Sequence, residues 1–313
     1  MKSLSSAPSA SVSQAWLELL WLSLWRQARM RQMLIVAVTL MILTVILVSV
    51  ITYFRGWTLH NSRPRPRAPT YQQSVNNIRA ARMMAAPNDP LAGLLDAIDG
   101  SVQTALDHSA FLVFSRWIVF AIFQSFLLPL WTLSFATDAL GNERESRTLI
   151  WLTTRPLPRM SIYLAKYLAM LPWCLGLNLL GFAAICIAAG EPGHLAWSRF
   201  WPAVCWGTLA FAALFHLLAA LFRRPAVVGL IYSFFFETVV SDLPGDLKRL
   251  SISYYIRSLM FDSLADLDMS PDQLTVYAPV SGWTAWSVLV GITVVLMMIG
   301  MAVFARTEYR EDV

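Results

Sequence analysis

An all-α integral membrane protein is the fold class this chain predicts, and three features predict it. Hydrophobic residues make up 57% of the 313 and charged residues only 14%, with a mean hydropathy of +0.55. Several apolar runs reach the roughly 20 residues a helix needs to cross hydrocarbon. Charge is gathered into islands between those runs instead of being spread as on a soluble surface. Backbone groups inside a bilayer must be satisfied within the protein, so the spans are helices and the fold is a bundle.

Residues 1–32 predict a cytoplasmic leader. The stretch 16–25 is apolar but contains Glu18 and does not read as a cleavable signal peptide. A Trp- and Leu-rich helix followed by Arg26, Arg29 and Arg31 fits an element lying at the membrane surface. Six spans follow, at 33–54, 117–137, 167–189, 200–222, 226–240 and 283–305. The fifth is short and carries Glu237. Residues 33–305 thus form one transmembrane domain, and 306–313 a charged tail.

An even span count puts both termini on one side. Lys and Arg are nearly balanced between the two sides, so the short connections decide orientation. Arg223-Arg224, between spans four and five, marks the cytoplasmic side, whereas the opposite short loop, 190–199, holds only Arg199. The outer segments are then 55–116 and 241–282. The first has an extended Arg63-Pro-Arg-Pro-Arg-Ala-Pro run. It continues into a predicted amphipathic helix over 91–112, with Asp96, Asp99 and Asp107 away from its apolar side. The second is acidic and half apolar. Trp57, Trp117, Trp197, Trp201, Trp283 and Trp286 fall at the outer ends of spans, as in an aromatic belt.

The island at 138–166 is the most informative feature. It joins spans two and three and reads Asp138-Ala-Leu-Gly-Asn-Glu-Arg-Glu-Ser-Arg-Thr-Leu-Ile-Trp-Leu-Thr-Thr-Arg-Pro-Leu-Pro-Arg159, with Lys166 at the start of the next span. Charge this close to hydrocarbon must emerge into water or against a partner. Gly141 and Asn142 predict a break after span two, and Pro156 and Pro158 end any helix between them. On a helix over 143–154, Arg147, Ile150, Trp151 and Thr154 share one face. A Trp beside Arg is the kind of knob that fills a partner's pocket. The same Trp could instead rest on lipid headgroups.

The Glu-x-Glu run, Thr-Leu, Pro-x-x-Arg and following Lys resemble the first cytoplasmic loop of ABC-2 type permeases, the membrane subunits of a class of ATP-driven exporters. The resemblance covers chiefly residues 130–190, and the six-span layout agrees with it. It departs at Arg147, where the family pattern has Gly. It implies an N-terminal elbow helix, a coupling helix within 138–166, and short helices dipping back into the membrane within 241–282. It further implies that Glu143, Glu145, Arg147, Ile150, Trp151, Arg155 and Arg159 meet a separate ATP-binding-cassette ATPase subunit. ATP and Mg would belong to that ATPase, with no cofactor in this chain. The permease would dimerise with itself or a sister chain among membrane lipid, in a bacterial cell inner membrane with both termini cytoplasmic.

No Gly-x-x-x-x-Gly-Lys-Ser/Thr phosphate loop is present, so the chain is not the ATPase. No His-Glu-x-x-His or Gly-x-Ser-x-Gly constellation marks it as a hydrolase. Asp262, Asp266, Asp268 and Asp272 lack the Gly and terminal Glu of a calcium loop and read as a solvated face. Cys174, Cys186 and Cys205 all lie in spans and read as small core residues. Nothing basic and aromatic outside the spans suggests nucleic acid. Glu237 and His216 are ionisable groups in or near spans, where a pathway role competes with simple hydrogen bonding. Lys166 is expected to snorkel to the inner headgroups. A stand-alone secondary transporter or channel is the alternative function; it would need a midplane polar site and internal repeats. The apolar spans suit a lipidic or amphipathic cargo as well as an apolar dimer interface.

Overall fold

The computed structural model describes residues 12–28, 31–55, 80, 108–145, 158–241, 246–267 and 278–306. They are helical with no strand among the described residues. Helix α1 is Val12–Ala28 and α2 is Arg31–Arg55. Helix α3 runs without interruption over 108–145, π-helical through Ser115–Leu127 and α-helical through Leu128–Glu145. Helix α4 is Arg159–Ala189 and α5 is Glu191–Leu221. Helix α6 covers 225–241 and contains a π turn at Tyr232–Glu237. Helix α7 is Ile252–Asp262, flanked by short 3-10 turns, and α8 is Gly282–Arg306.

Among the described residues, five helical stretches are long and apolar enough to cross a membrane: Ile35–Tyr53, His108–Thr137, Arg159–Ala189, Glu191–Leu221 and Gly282–Arg306. The predicted fifth span corresponds to α6, whose apolar part, Pro225–Glu237, is shorter than these. Spans three and four begin a turn or more earlier than the hydropathy suggested. The expected outer loop at 190–199 is a single residue, Gly190, held at φ +74°, a backbone conformation that favours glycine. Pro192 fits the first turn of α5, where a missing N–H costs nothing, and Glu191 complements the helix N-terminus. The expected break at Gly141-Asn142 is absent. A single interior glycine costs a helix only about 1 kcal/mol, and the Glu-Arg-Glu that follows favours continuation.

The α4–α5 hairpin is the centre of the bundle. Hydrophobic driving force is weak between helices in lipid, so close approach of small residues matters there. Gly181 leaves room for the Trp131 ring, and Gly193 lies directly against the Cys186 backbone beside the Gly190 turn. Asn178 donates to Thr132 Oγ1 at 3.1 Å, tying α4 to α3. Tyr167 donates to the Leu209 carbonyl at 3.1 Å, tying α4 to α5. Hydroxyls of Thr44, Thr132, Thr137, Thr208 and Thr293 return to carbonyls four residues back, which makes these polar groups tolerable in an apolar helix. Helices α2 and α8 keep exposed apolar faces, with Ile35, Leu43 and Ile46 on one and Val294, Val295 and Met298 on the other.

Helix α1 lies alongside α4, with Trp16 donating to the Ser161 carbonyl and Trp173 to the Leu24 carbonyl. Its Leu17, Trp21, Leu22 and Trp25 remain exposed. Trp117, Trp197, Trp201, Trp283 and Trp286 sit near the starts of α3, α5 and α8. These ends come together: Phe111 packs on Phe200 with centroids 5.8 Å apart, and Trp206 on Trp286 at 5.6 Å.

The glycines make the packing testable. A Cβ at Gly193 would collide with backbone, whereas one at Gly176 meets nothing within 4 Å. Gly193→Ala should therefore destabilise the protein by about 1–3 kcal/mol through overpacking. Gly176→Ala should be neutral or stabilise by up to about 1 kcal/mol. Intrinsic tryptophan fluorescence during heating of the detergent-solubilised protein reads both.

Candidate functional site: the helices that bracket the charged segment

Helix α3 carries the chain past its apolar window, which ends at Thr137, and on to Glu145. Glu143 and Glu145 lie in its last turn. Arg159 is the first residue of α4 and is exposed. Arg147, Ile150, Trp151 and Arg155 lie outside the described residues, as do Asp268, Asp272, Trp57 and most of the predicted 91–112 helix. The end of that helix, 108–112, is the beginning of α3.

Just inside the bracket, His216 of α5 is completely buried between the two flanking helices. Its Nε2 donates to the Tyr163 carbonyl at 3.3 Å, which fixes the proton on that nitrogen because a carbonyl can only accept. The Tyr163 ring lies 4.4 Å from the imidazole, and the Ala136 carbonyl of α3 faces the same imidazole. Lys166 is buried beside this group and does not reach a surface. The expected snorkelling fails because α4 begins at Arg159, which places Lys166 two turns inside the helix on the side facing α5. Cys174 and Cys186 are buried core residues, and Cys205 is partly buried.

At the opposite end, α7 is fastened by polar contacts to three helices. Glu237 of α6 is 1% exposed and is not a free ion site. Its carboxylate accepts from Tyr232 Oη at 2.7 Å, Ser251 Oγ at 2.6 Å, the Ile252 amide at 3.1 Å and the Ser253 amide at 2.9 Å. The π turn brings Tyr232 and Glu237, five residues apart, onto one face. From the π stretch of α3, Gln124 donates to the Ser253 carbonyl at 2.9 Å, and Ser125 accepts from Arg257 at 3.0 Å. The far end of α7 is held by Arg199 of α5, which donates to the Ser263 carbonyl and pairs with Asp266 at 2.7 Å. Ser251 before an apolar run is an N-cap signature legible in the sequence. Gln124 inside an apolar span was a signal too, but its partner is set only by the fold.

Asp262 is exposed and Asp266 is paired with Arg199. No group of three or more His, Cys, Asp or Glu side chains that could hold a metal occurs among the described residues.

The geometry defines a polytopic helical membrane protein with two long helices bracketing a charged segment and no catalytic constellation among the described residues. Compared with protein families, residues 80–240 match ABC-2 family transporter protein, and this match covers more than half of the 313 residues. The chain belongs to that family, a transport component of membranes and not a catalytic family. Among curated proteins none matches it.

Two consequences of the α7 fastening can be measured. Glu237→Ala leaves buried donors without an acceptor, each costing about 1–3 kcal/mol. Hydrogen exchange should rise across 251–262, and more in Glu237→Ala than in Glu237→Gln, which keeps one acceptor oxygen. Arg199 holds the Asp266 carboxyl below its ordinary 3.8 through hydrogen bonding and charge. A depressed carboxylate contributes stability above its unfolded value and loses it as pH falls through the folded value. The melting difference between the wild type and Asp266→Asn should thus be constant near neutral pH and vanish below the ordinary carboxylate range.

Proposed function

We propose that this chain is the permease subunit of an ATP-driven ABC-2 type exporter, forming the translocation path as a dimer and coupling through 138–166 to a separate ATPase subunit. The observation that carries the reading is the pairing of α3 and α4 around that segment. Helix α3 extends beyond its apolar part into a charged end that includes Glu143 and Glu145, and α4 restarts at Arg159. Family membership supports an ATP-binding-cassette partner in general. In this reading six helices cross the inner membrane, with α6 as the short fifth span and both termini in the cytoplasm. The exposed Leu17, Trp21, Leu22 and Trp25 of α1 suit contact with the lipid surface as an elbow helix.

ATP would draw two ATPases together and move the coupling segments with them. Such a ligand shifts a conformational equilibrium only through contacts that differ between states, and this reading assigns those contacts to residues 143–159. Arg147, Ile150, Trp151 and Arg155 supply the docking face, with Glu143, Glu145 and Arg159 at its edges. Catalysis of ATP hydrolysis would lie wholly in the partner.

Co-purification with the ATP-binding-cassette ATPase encoded beside the gene tests this. The wild type should retain that ATPase and stimulate its hydrolysis. Trp151→Asp combined with Arg147→Glu should cut recovery about tenfold or more, as expected for loss of an aromatic anchor and a charge. An intact, stimulated complex with the double variant would remove 138–166 as the docking element.

A further inference from the structure

His216 stands where both helices leaving the charged segment meet α5 near that segment. The Ala136 carbonyl lies on α3 before its charged end, and the Tyr163 carbonyl lies on the second turn of α4. The Tyr163 carbonyl accepts a hydrogen bond from an imidazole carried by α5, and the Ala136 carbonyl lies near the same ring. Tyr163 then extends the junction to a fourth helix. Its ring packs against Phe304 of α8 with centroids 5.8 Å apart and lies over Gly300, where a Cβ would collide with it. Tyr167, one turn further along α4, brings its own ring to 5.9 Å from the imidazole and anchors by hydrogen bond to α5.

We propose that His216 is a positioning residue through which displacement of the segment between α3 and α4 passes to α5 and, by way of Tyr163, to α8. This rests on the reading of 138–166 as the element that docks an ATPase. The physical reason is that a close-packed interior transmits strain and does not absorb it. A helix pushed at its end moves the neighbours it is locked to, and α4 is locked to α5 and α8 within its first three turns. A hydrogen bond to a backbone carbonyl adds direction, because it is lost if α4 slides relative to α5, whereas apolar contacts can re-form after a slip. Spans four and six therefore move with span three.

The test uses the full chain with its neighbouring ATPase in nanodiscs of phosphatidylethanolamine and phosphatidylglycerol. Each variant carries one cysteine, Thr284→Cys, at the exposed start of α8, in a background freed of native cysteines. Its reaction rate with an impermeant maleimide is compared with and without ATP and vanadate. For the wild type, trapping should change the rate. His216→Leu should still bind the ATPase and keep hydrolysis within about twofold, while the trapping-dependent change falls about fivefold or more. His216→Gln, which can donate to the same carbonyl, should keep at least about half of the change. Gly300→Ala, which displaces Tyr163 from α8 and leaves His216 in place, should also weaken it and serves if His216→Leu does not fold. A wild-type response in both His216→Leu and Gly300→Ala would overturn the inference, as would a wild-type complex with no trapping-dependent change at 284. So would loss of ATPase binding in His216→Leu with its melting temperature unchanged, which would make the residue part of docking. A wild-type chain that never retains the ATPase fails the exporter reading itself, a separate outcome.

Discussion

A helix end that is buried must be given hydrogen-bond partners, and the Glu237 carboxylate provides them for α7. With 11 residues, α7 is only about 16 Å long and cannot cross a membrane. Its first amides would otherwise face apolar side chains with no acceptor, at a cost larger than most single contacts return. One carboxylate meets two backbone amides and two hydroxyls, which also satisfies its own charge. The rest of that end of the bundle follows from where this places α7. Gln124 and Ser125 turn their polar groups to it, and Arg199 closes its far end.

Elsewhere the interior is organised by shape. Gly181 admits Trp131, and Gly300 admits Tyr163, so large rings sit against backbone instead of between side chains. In lipid this is how helices gain attraction, since apolar side chains lose little by facing hydrocarbon. It also explains the exposed apolar faces of α2 and α8, which suit contact with hydrocarbon tails or with another membrane helix. The α7 region is thus fastened by polar contacts, whereas Tyr163 interlocks with Gly300 beside the buried His216 and Lys166. An interlocked region lies toward the charged segment and a hydrogen-bonded one around α7. Hydrogen bonds can be exchanged for water, while interlocked rings move together.

Charge placement follows the same division. Arg199 and Asp266 form a partly exposed pair at the far end of α7, where solvent limits its worth. Glu237, Lys166 and Arg257 are buried, and all three have polar or electrostatic interactions within the fold. A further concentration of charge lies in the sequence between α3 and α4. Membership of the ABC-2 family and this arrangement point to the same reading.

Much of the fold was legible from residues alone because hydropathy over about 20 residues is a local property. It located the cores of the five long apolar helices, the weak sixth at α6 and the tryptophan-marked end. The 138–166 island pointed to the family that the match over 80–240 supports, whereas the Ser251 cap that starts α7 went unread. Helix ends were less legible. Gly190 turns the chain in one residue, and Gly141-Asn142 does not break it, because a glycine's conformation depends on what surrounds it. The π stretches left no local pattern, and the roles of Gln124, Lys166, His216 and Glu237 depended on which distant backbone group came within about 3 Å. The sequence by itself determined that the chain is a helical membrane protein with a charged segment between two spans. Only the tertiary structure decided which buried polar groups join which helices, since hydrogen-bond partners are chosen by three-dimensional distance and not by composition.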